Sequence, residues 1–555
     1  MKARDFFKSG LRLFVAAAFS FFAGTLFAAS NPADLPLIPA PREIEAGQGK
    51  ALSVGSISAI HADARSEDAA RFLQRLFRQR YKRTLPILKT NGVAASGAIA
   101  LSSGAGKKDS EAYALSVSAN GVVVKGSGAA GTFYGVCTLD QLFVGEDGKP
   151  AKTVPALTVR DAPRFAYRGL MLDPARNFMP VEDVKKFVET MARLKFNTLH
   201  FHVSDDQGWR VEIKNPKYRR LMTVGAQKNR PKGTRGYYTQ DEIRDLIAFA
   251  ATLNVEVVPE VDMPGHGMGA IVAYPELTCE YVREINKPEN AAELAKNPKM
   301  KLRVWEEAGV SEALLCAGNP KTYAFYDELL AELCRLFPSK KFHLGGDEAP
   351  TKCWNKCGDC REFMKKKGLG STQELMAYFF QRNFDALGKA GKTALYWYEL
   401  DVPKYPKNAI MYSWRMGHTK QAIDRALREG YKVICCPGEY AYFDYPQKPG
   451  DPNHGWMPLT TLERVYQFDP GYGRPAKEEA SILGCEGTLW AEHIPDLERL
   501  HYQAFPRALA LVEAGWTPMR RRGWESFRKR LRPVLLDMHA RGVRTYWPTE
   551  AVGAK

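Results

Sequence analysis

Residues 167–202, YRGLMLDPARNFMPVEDVKKFVETMARLKFNTLHFH, contain a strand, a loop, a helix and a second strand in that order. The apolar runs 167–172 and 198–202 have the length of buried strands. Between them, residues 181–196 repeat apolar side chains at helical spacing. Two buried strands joined by a helix predict a parallel βαβ unit.

The same pattern continues along the rest of the chain. Helices are predicted at 240–253, 321–337, 372–390 and 419–429. The strands are predicted at 167–172, 198–202, 255–259, 342–345, 393–397, 410–412, 432–435 and 482–486. Eight such units predict an α/β fold in which residues 164–555 form a (β/α)8 TIM barrel. A doubly wound sheet is the alternative.

Residues 30–163 have a different pattern and predict a small α+β domain before the barrel. Alternating apolar runs at 113–117 and 122–125 flank Asn120-Gly121, which predicts a β-hairpin. Helical patterns occur at 66–79 and 130–142. Nothing in this region indicates catalysis.

Residues 1–29 have the composition of a secretory signal peptide. A basic start precedes an uncharged apolar run at 13–27, and small residues follow at 28–30. We therefore expect export to the periplasm or the cell exterior, with an N-terminal membrane anchor as the alternative. No other stretch has the roughly 20 apolar residues that a spanning helix needs, so no stable membrane anchor is expected.

The chain is basic, with a formal net charge of +17. Such a field favours anionic polymers, but no nucleic-acid-binding module is visible, so nucleic acid is not an expected partner. The sequence sets no expectation for the oligomeric state.

The chain has ten cysteines, and three of them, Cys353, Cys357 and Cys360, lie close together. Cys279 and Cys316 flank one long loop. Structural disulfides, unpaired buried thiols and the start of a zinc site are all open, and the sequence does not fix any pairing.

Acidic and aromatic side chains follow nearly every predicted barrel strand, where barrels carry their chemistry. In strand order they are Asp173 and Arg176; His202, Asp205 and Asp206; Glu260, Asp262 and His266; Asp347 and Glu348; Trp397 and Glu399; Trp414; Tyr442 and Asp444; Trp490 and Glu492. Carboxylates suit acid–base chemistry, and tryptophans stack on sugar rings or wall an acyl pocket. The combination favours a carbohydrate ligand.

Asp347 and Glu348 are adjacent, and successive side chains of an extended chain point to opposite faces. They are therefore poorly placed to act as acid and nucleophile across one glycosidic bond, which requires about 5 Å or more. One could protonate the leaving group while the other orients a substrate group that supplies the nucleophile. An enzyme nucleophile at Asp444 or Glu492 is the alternative.

Several segments resemble glycoside hydrolase family 20, the β-N-acetylhexosaminidases. The matching segments are residues 167–177 (YRGLMLDPARN), 200–210 (HFHVSDDQGWR), 259–266 (PEVDMPGH), 342–348 (FHLGGDE), 442–444 (YFD), 489–492 (LWAE) and 131–142 (GTFYGVCTLDQL). Asn177 and Phe201 depart from the family pattern. The resemblance implies an N-terminal domain of hexosaminidase type and removal of terminal N-acetylglucosamine or N-acetylgalactosamine by substrate-assisted, retaining catalysis.

The resemblance also implies roles for the site residues. Glu348 would be the general acid and base, Asp347 would orient the acetamido group, and Tyr442 would donate to the acetamido oxygen. The supporting residues would be His266 with Asp205 or Asp206 beside the acid, Trp397, Trp490 and Trp354 around the acetamido group, and Arg176, Asp444 and Glu492 on the sugar hydroxyls. Trp414, which follows the sixth strand, is a further substrate-binding candidate. No cofactor and no catalytic metal are expected.

The sequence leaves two other function classes open. His200, His202 and His266 have spacing found in metal-dependent barrel hydrolases. A non-catalytic glycan-binding protein could use the same scaffold. The first leaves the Asp347–Glu348 pair and the tryptophans unexplained, and the presence of both carboxylates argues against the second.

Overall fold

The computed structural model describes residues 34–89, 96–106, 110–306 and 309–555. The predicted signal peptide lies outside these residues. Within them, no helix is long and apolar enough to cross a membrane.

A seven-stranded mixed sheet forms the first layer of the smaller domain. Its strands, in spatial order, are Glu43–Ala46, Leu157–Asp161, Tyr113–Ser118, Gly121–Gly126, Ala98–Ser103, Ala59–Ala62 and Ile87–Lys89. The predicted hairpin is confirmed, because the third and fourth of these strands pair antiparallel. Helices Glu67–Tyr81 and Ala129–Leu142 pack together and against this sheet.

Eight parallel strands close into a barrel, which confirms the predicted fold class. The strands are Tyr167–Leu172, Thr198–His202, Glu256–Glu260, Lys341–His343, Thr393–Trp397, Ile410–Ser413, Lys432–Cys435 and Ile482–Leu489. The last strand pairs with the first over six residues and closes the barrel. The fourth strand ends at His343, two residues before its predicted end at 345, because Gly345 has φ +62° and cannot continue a strand.

Amphipathic helices surround the barrel. The main ones are Val181–Arg193, Gln240–Thr252, Pro320–Leu336, Thr372–Lys389, Thr419–Glu429, Leu497–Ala504, Arg507–Trp516 and Trp524–Ala540. In the first of them Val184, Phe187, Val188 and Met191 are fully buried, so the predicted apolar stripe faces the protein interior.

A buried carboxylate, Asp161, joins the two domains. It accepts hydrogen bonds from Tyr113 Oη at 2.7 Å, Lys195 Nζ at 3.1 Å and Trp516 Nε1 at 2.9 Å. Lys195 and Trp516 belong to the barrel, so this network fixes the smaller domain against its outer helices.

Candidate active site

A cavity of about 590 Å³ opens at the carboxyl ends of the barrel strands. Its wall includes His266, Asp347, Glu348, Trp414 and Trp490. These side chains follow four different strands, the third, fourth, sixth and eighth of the barrel, and a barrel is the fold that brings such strand ends together. The cavity combines carboxylates with aromatic walls.

The turn that carries the carboxylate pair needs two glycines. Gly345 and Gly346 have φ of +62° and +102°. A Cβ on Gly345 would lie 1.8 Å from Asp262 Oδ1, and one on Gly346 would lie 2.4 Å from Phe380. Larger residues are therefore excluded by both backbone conformation and space.

The same turn corrects the expectation that Asp347 and Glu348 face opposite ways. Glu348 has φ +49°, which is not extended backbone. Both side chains consequently line one cavity, and His266 Nε2 lies 3.7 Å from Asp347 Oδ2 and 3.7 Å from Glu348 Oε2. A strained, non-glycine residue of this kind is common at functional sites.

His266 connects the pair to a deeper carboxylate. Its Nδ1 lies 3.1 Å from Asp205 Oδ1. Burial opposes the charged imidazole, but Asp205 and then Asp347 together raise the pKa of His266 well above its usual range. The neighbouring carboxylates therefore favour the protonated, positively charged form of His266.

Asp205 and Asp206, which the sequence could not distinguish as the partner of His266, have different contacts in the structure. Asp205 contacts His266 and lies 2.7 Å from Arg176 Nη1; although burial raises its pKa, these cations hold it well below the usual range. Asp206 accepts the backbone N–H groups of Met268 and Ser311 instead. Burial and the nearby Asp205 raise the pKa of Asp206 to about 6. Asp205 supports His266, whereas Asp206 holds the surrounding loops.

Asp347 and Glu348 have different electrostatic environments. Burial raises the pKa of Asp347 to about 7, against the opposing effect of His266. Glu348 has a side chain that is 43% exposed, and the interaction with His266, whose Nε2 lies 3.7 Å from Glu348 Oε2, lowers its pKa. Two adjacent carboxyl groups with separated pKa values can take different roles.

Glu399 and Arg415 position the Asp347–Glu348 segment through the Glu348 backbone. Glu399 Oε1 accepts the backbone N–H of Glu348 at 3.0 Å, and Arg415 binds both oxygens of Glu399 at 2.6 and 2.7 Å. Glu399 follows the fifth strand, as the sequence predicts, but no pattern in the sequence assigns it a role or indicates Arg415. The signal for Arg415 was its position beside Trp414, after the sixth strand.

Three aromatic rings wall one side of the cavity. The centre of the Tyr442 ring lies 6.5 Å from that of Trp414, with the two rings stacked, and 6.4 Å from that of Trp490. Burial raises the pKa of Tyr442 well above its usual value, so its hydroxyl keeps its proton and can donate. Trp397 is fully buried, with its ring centre 5.7 Å from that of Trp490, and its Nε1 donates to Glu260. It packs against Trp490 and does not itself line the cavity formed by the described residues. Trp414, Tyr442 and Trp490 can enclose a flat polar group such as an amide.

The position of Trp354 contradicts its predicted place in the acetamido pocket. Trp354 is fully buried in the core, and its Nε1 donates to the Leu315 carbonyl at 3.0 Å. It does not line the cavity formed by the described residues. Trp354 lies on the helix Lys352–Lys356, which turns away from the cavity after the carboxylate pair. Trp414 occupies the wall instead.

Polar atoms at the inner end of the cavity can bind hydroxyl groups. Asp444 Oδ1, Glu492 Oε2 and Asp347 Oδ1 are buried and have no hydrogen-bond partner among the described residues. Arg176 is buried, with its guanidinium 4.7 Å from the centre of the Trp490 ring and 4.0 Å from Glu492. Unpaired buried acceptors are costly unless a ligand donates to them.

Loops supply rim residues that the sequence did not predict. Lys299, Val310, His454 and Trp456 line the cavity, and Trp456 is 63% exposed. They lie in long loops without helical or strand periodicity, so no pattern in the sequence indicated them.

His200 and His202 do not form a strand-end pair facing the cavity. Both are fully buried inside the barrel. His200 contacts Glu486 at 2.8 Å and Glu260 at 3.1 Å, and His202 contacts Asp205 at 2.8 Å and also Glu260. These contacts form a polar core beneath the site. Asp262, His266 and Asp347 also lie close enough together to share an ion, but the ion pair with Asp205 already accounts for His266.

The fold and site together define a glycoside hydrolase. The model for the catalytic domain of glycosyl hydrolase family 20 matches residues 165–519, and the model for domain 2 of that family matches residues 34–162. The chain belongs to glycosyl hydrolase family 20.

Relatives and solved structures agree with this assignment. A β-hexosaminidase of Akkermansia muciniphila is 40% identical over 427 residues, which cover 76% of this chain and 83% of that protein. One from Vibrio furnissii is 33% identical, covering 88% of this chain and 77% of that protein. The structure of an exo β-N-acetylglucosaminidase from Vibrio harveyi, in complex with N-acetylglucosamine, superposes with a TM-score of 0.79 at 30% identity and covers 93% of this chain and 79% of that one.

Proposed function

We propose that this chain is an exo-acting β-N-acetylhexosaminidase that removes terminal, non-reducing N-acetylglucosamine or N-acetylgalactosamine residues with retention of configuration. The observation that carries the proposal is the buried, unpaired Oδ1 of Asp347 beside the wall formed by Trp414, Tyr442 and Trp490. A carboxylate oxygen next to such a wall is suited to accept the N–H of an acetamido group.

The inner end of the cavity explains the exo mode. Arg176, Asp444 and Glu492 line the cavity, and we assign them to the hydroxyl groups of a terminal sugar. A chain that continued beyond those hydroxyls would collide with these residues. Sugars without matching hydroxyls would leave the carboxylates unpaired, which gives specificity.

In the first step, Glu348 donates a proton to the glycosidic oxygen and the bond from that oxygen to the anomeric carbon breaks. The acetamido oxygen of the same sugar forms the new bond to the anomeric carbon, which gives an oxazolinium ion. Asp347 balances the positive charge on the nitrogen, while the hydroxyl of Tyr442 donates to the acetamido oxygen. In the second step, Glu348 takes a proton from water as the water oxygen bonds to the anomeric carbon. The bond from that carbon to the acetamido oxygen breaks, which restores the acetamido group and gives net retention of configuration.

The electrostatic environments of Glu348 and Asp347 fit these two roles. Glu348 faces the open cavity, where a leaving group would lie, and a bound sugar that excludes water raises the pKa of a carboxyl group. Asp347 lies deeper, and positive charge on the oxazolinium nitrogen favours its ionised form. His266 touches both carboxyl groups and acts as a positioning residue.

Side-by-side rates on three aryl glycosides test the proposal. We expect turnover of the aryl N-acetylglucosaminide or N-acetylgalactosaminide, and slower turnover of the aryl glucoside by several orders of magnitude, because an internal nucleophile contributes about 7–11 kcal/mol. Comparable rates on the N-acetylated sugar and the glucoside would contradict the proposal.

We also propose that the chain is exported, with cleavage near residue 29. The basic start, the apolar run and the small residues at 28–30 support this. N-terminal sequencing of the periplasmic and extracellular fractions tests it. An intact Met1 on membrane-bound protein would contradict it.

A further inference from the structure

Four thiols from separate parts of the chain converge behind the active site. Cys279 and Cys316 come from the long loop that follows the third barrel strand, and Cys357 and Cys360 come from the segment after the fourth. All four are buried, and their sulfur atoms lie within 4.8 Å of one another. Cys357 and Cys360 have the two-residue spacing common in zinc sites.

The distances between the sulfur atoms match a tetrahedral metal site. Zinc–thiolate bonds of about 2.3 Å place the sulfurs of a tetrahedron about 3.8 Å apart. Cys316 Sγ lies 3.5 Å from Cys360 Sγ and 3.7 Å from Cys357 Sγ, and Cys279 Sγ lies 4.0 Å from Cys360 Sγ. Cys316 and Cys360 each approach two sulfurs at once, which is the arrangement of one shared centre rather than two separate pairs.

Cysteines outside the cluster behave differently. The thiol of Cys353, only four residues before Cys357, donates to the Glu312 carbonyl at 3.1 Å. Cys137 and Cys436 likewise donate to backbone carbonyls at 3.4 Å. Each cluster sulfur is directed instead at another cluster sulfur. Cys353 is therefore a matched control, buried in the same region but outside the cluster.

We propose that Cys279, Cys316, Cys357 and Cys360 bind one structural zinc ion as thiolates. Four protein ligands close a tetrahedral zinc site and leave no position for water or substrate, so the ion takes no part in the sugar chemistry. Binding releases the thiol protons to solvent, and no oxidation or reduction occurs. Two of the thiolates lie at the start of the helix Gly358–Lys367, whose N-terminal end favours negative charge.

The zinc site would link two loops that contribute to the cavity wall. The loop that carries Cys279 and Cys316 also contributes Lys299 and Val310 to the cavity wall. The segment that carries Cys357 and Cys360 begins directly after Glu348. Loss of the metal should therefore loosen this wall and lower thermal stability, while the reacting groups remain in the chain.

Metal analysis of the full-length protein tests the proposal. Purified without chelator, the protein should contain about one zinc per chain by inductively coupled plasma mass spectrometry. Cys316→Ser should lose the zinc and lower the thermal midpoint, whereas Cys353→Ser should keep it. Cys360→His should also keep zinc, since three cysteines and one histidine form a known structural zinc set.

Cobalt substitution gives a readout that needs no variant. Protein refolded with cobalt(II) should show the intense visible bands of tetrahedral cobalt thiolate, and zinc should displace them. Zinc-free protein that takes up no cobalt would contradict the proposal. Disulfide-linked peptides joining the four cysteines, or stoichiometric iron, would contradict it as well. None of these outcomes depends on the hydrolase activity, so failure here is distinct from failure of the proposed function.

Discussion

His266 Nδ1 lies 3.1 Å from Asp205 Oδ1, and this ion pair fixes the imidazole whose other nitrogen contacts both carboxyl groups of the active site. Asp205 is fully buried and also pairs with Arg176 at 2.7 Å. Arg176 and the His266 that contacts Asp347 and Glu348 therefore share one buried carboxylate.

Asp205→Asn should alter both rate and pH dependence. Without the carboxylate, the pKa of His266 falls, so the imidazole loses its charge at a lower pH than in the wild type. The pKa of Glu348, which His266 lowers, then rises, and the alkaline limb of kcat moves to higher pH. Misplacement of the pair lowers kcat by up to about 100-fold. pH–rate profiles measure both effects.

Asp206→Asn is the matched control, because Asp206 binds backbone N–H groups instead of His266. The alkaline limb of kcat for Asp206→Asn should shift much less than that for Asp205→Asn, because Asp205 contacts His266 directly at 3.1 Å. An equal shift in both variants would show that general loosening of the loops, and not the His266 contact, sets the profile.

Asp347→Asn should lower kcat by about 100- to 1,000-fold, the range seen when one preorganised transition-state contact is removed. Because burial raises the pKa of Asp347 to about 7 and the reaction needs the ionised form, wild-type kcat/KM should fall as pH drops below about 7. The variant should lack this acid limb. Retention of the same limb in Asp347→Asn would assign it to another group.

Trp414 and Trp354 should respond differently to the same substitution. Trp414→Phe should lower kcat/KM about tenfold, because Trp414 lines the cavity. Trp354→Phe should leave kcat/KM nearly unchanged and lower the thermal midpoint, because it removes a buried indole that donates to Leu315. The reverse pattern would indicate that Trp354, and not Trp414, contacts the substrate.

Asp161→Asn should destabilise the protein by about 3–5 kcal/mol, the usual cost of leaving a buried partner charge uncompensated. Burial already lowers the pKa of Lys195, and Asp161 is its ion-pair partner at 3.1 Å. Thermal unfolding monitored by circular dichroism measures the change. Asp147→Asn, at an exposed pair with Lys149, should leave the midpoint unchanged. Equal effects would show that the domain junction is not stabilised at Asp161.

The sequence predicts the barrel well because its strands and helices have clear periodicity. In a barrel, the loops that follow the strands meet at one end. This property also predicts that one cavity is lined by Asp347, Glu348, His266, Tyr442 and Trp490. The prediction fails for Trp354, since a residue seven positions after Asp347 can leave the cavity on a short helix.

Contacts between distant loops could not be predicted from the sequence. Arg415 meets Glu399, and Cys279 meets Cys360, only after the barrel has closed. The positive φ of Glu348 depends on the neighbouring glycines, whose space is limited by Asp262 and Phe380. No local pattern encodes these constraints.

Mass spectrometry after treatment with a slow 2-fluoro glycoside tests the central claim, that the substrate supplies its own nucleophile. The 2-fluoro sugar lacks the acetamido group, so only an enzyme carboxylate could trap it. We predict no glycosyl ester on the peptides that contain Asp444 and Glu492. A stable ester on either residue would contradict substrate assistance and assign the nucleophile to the protein.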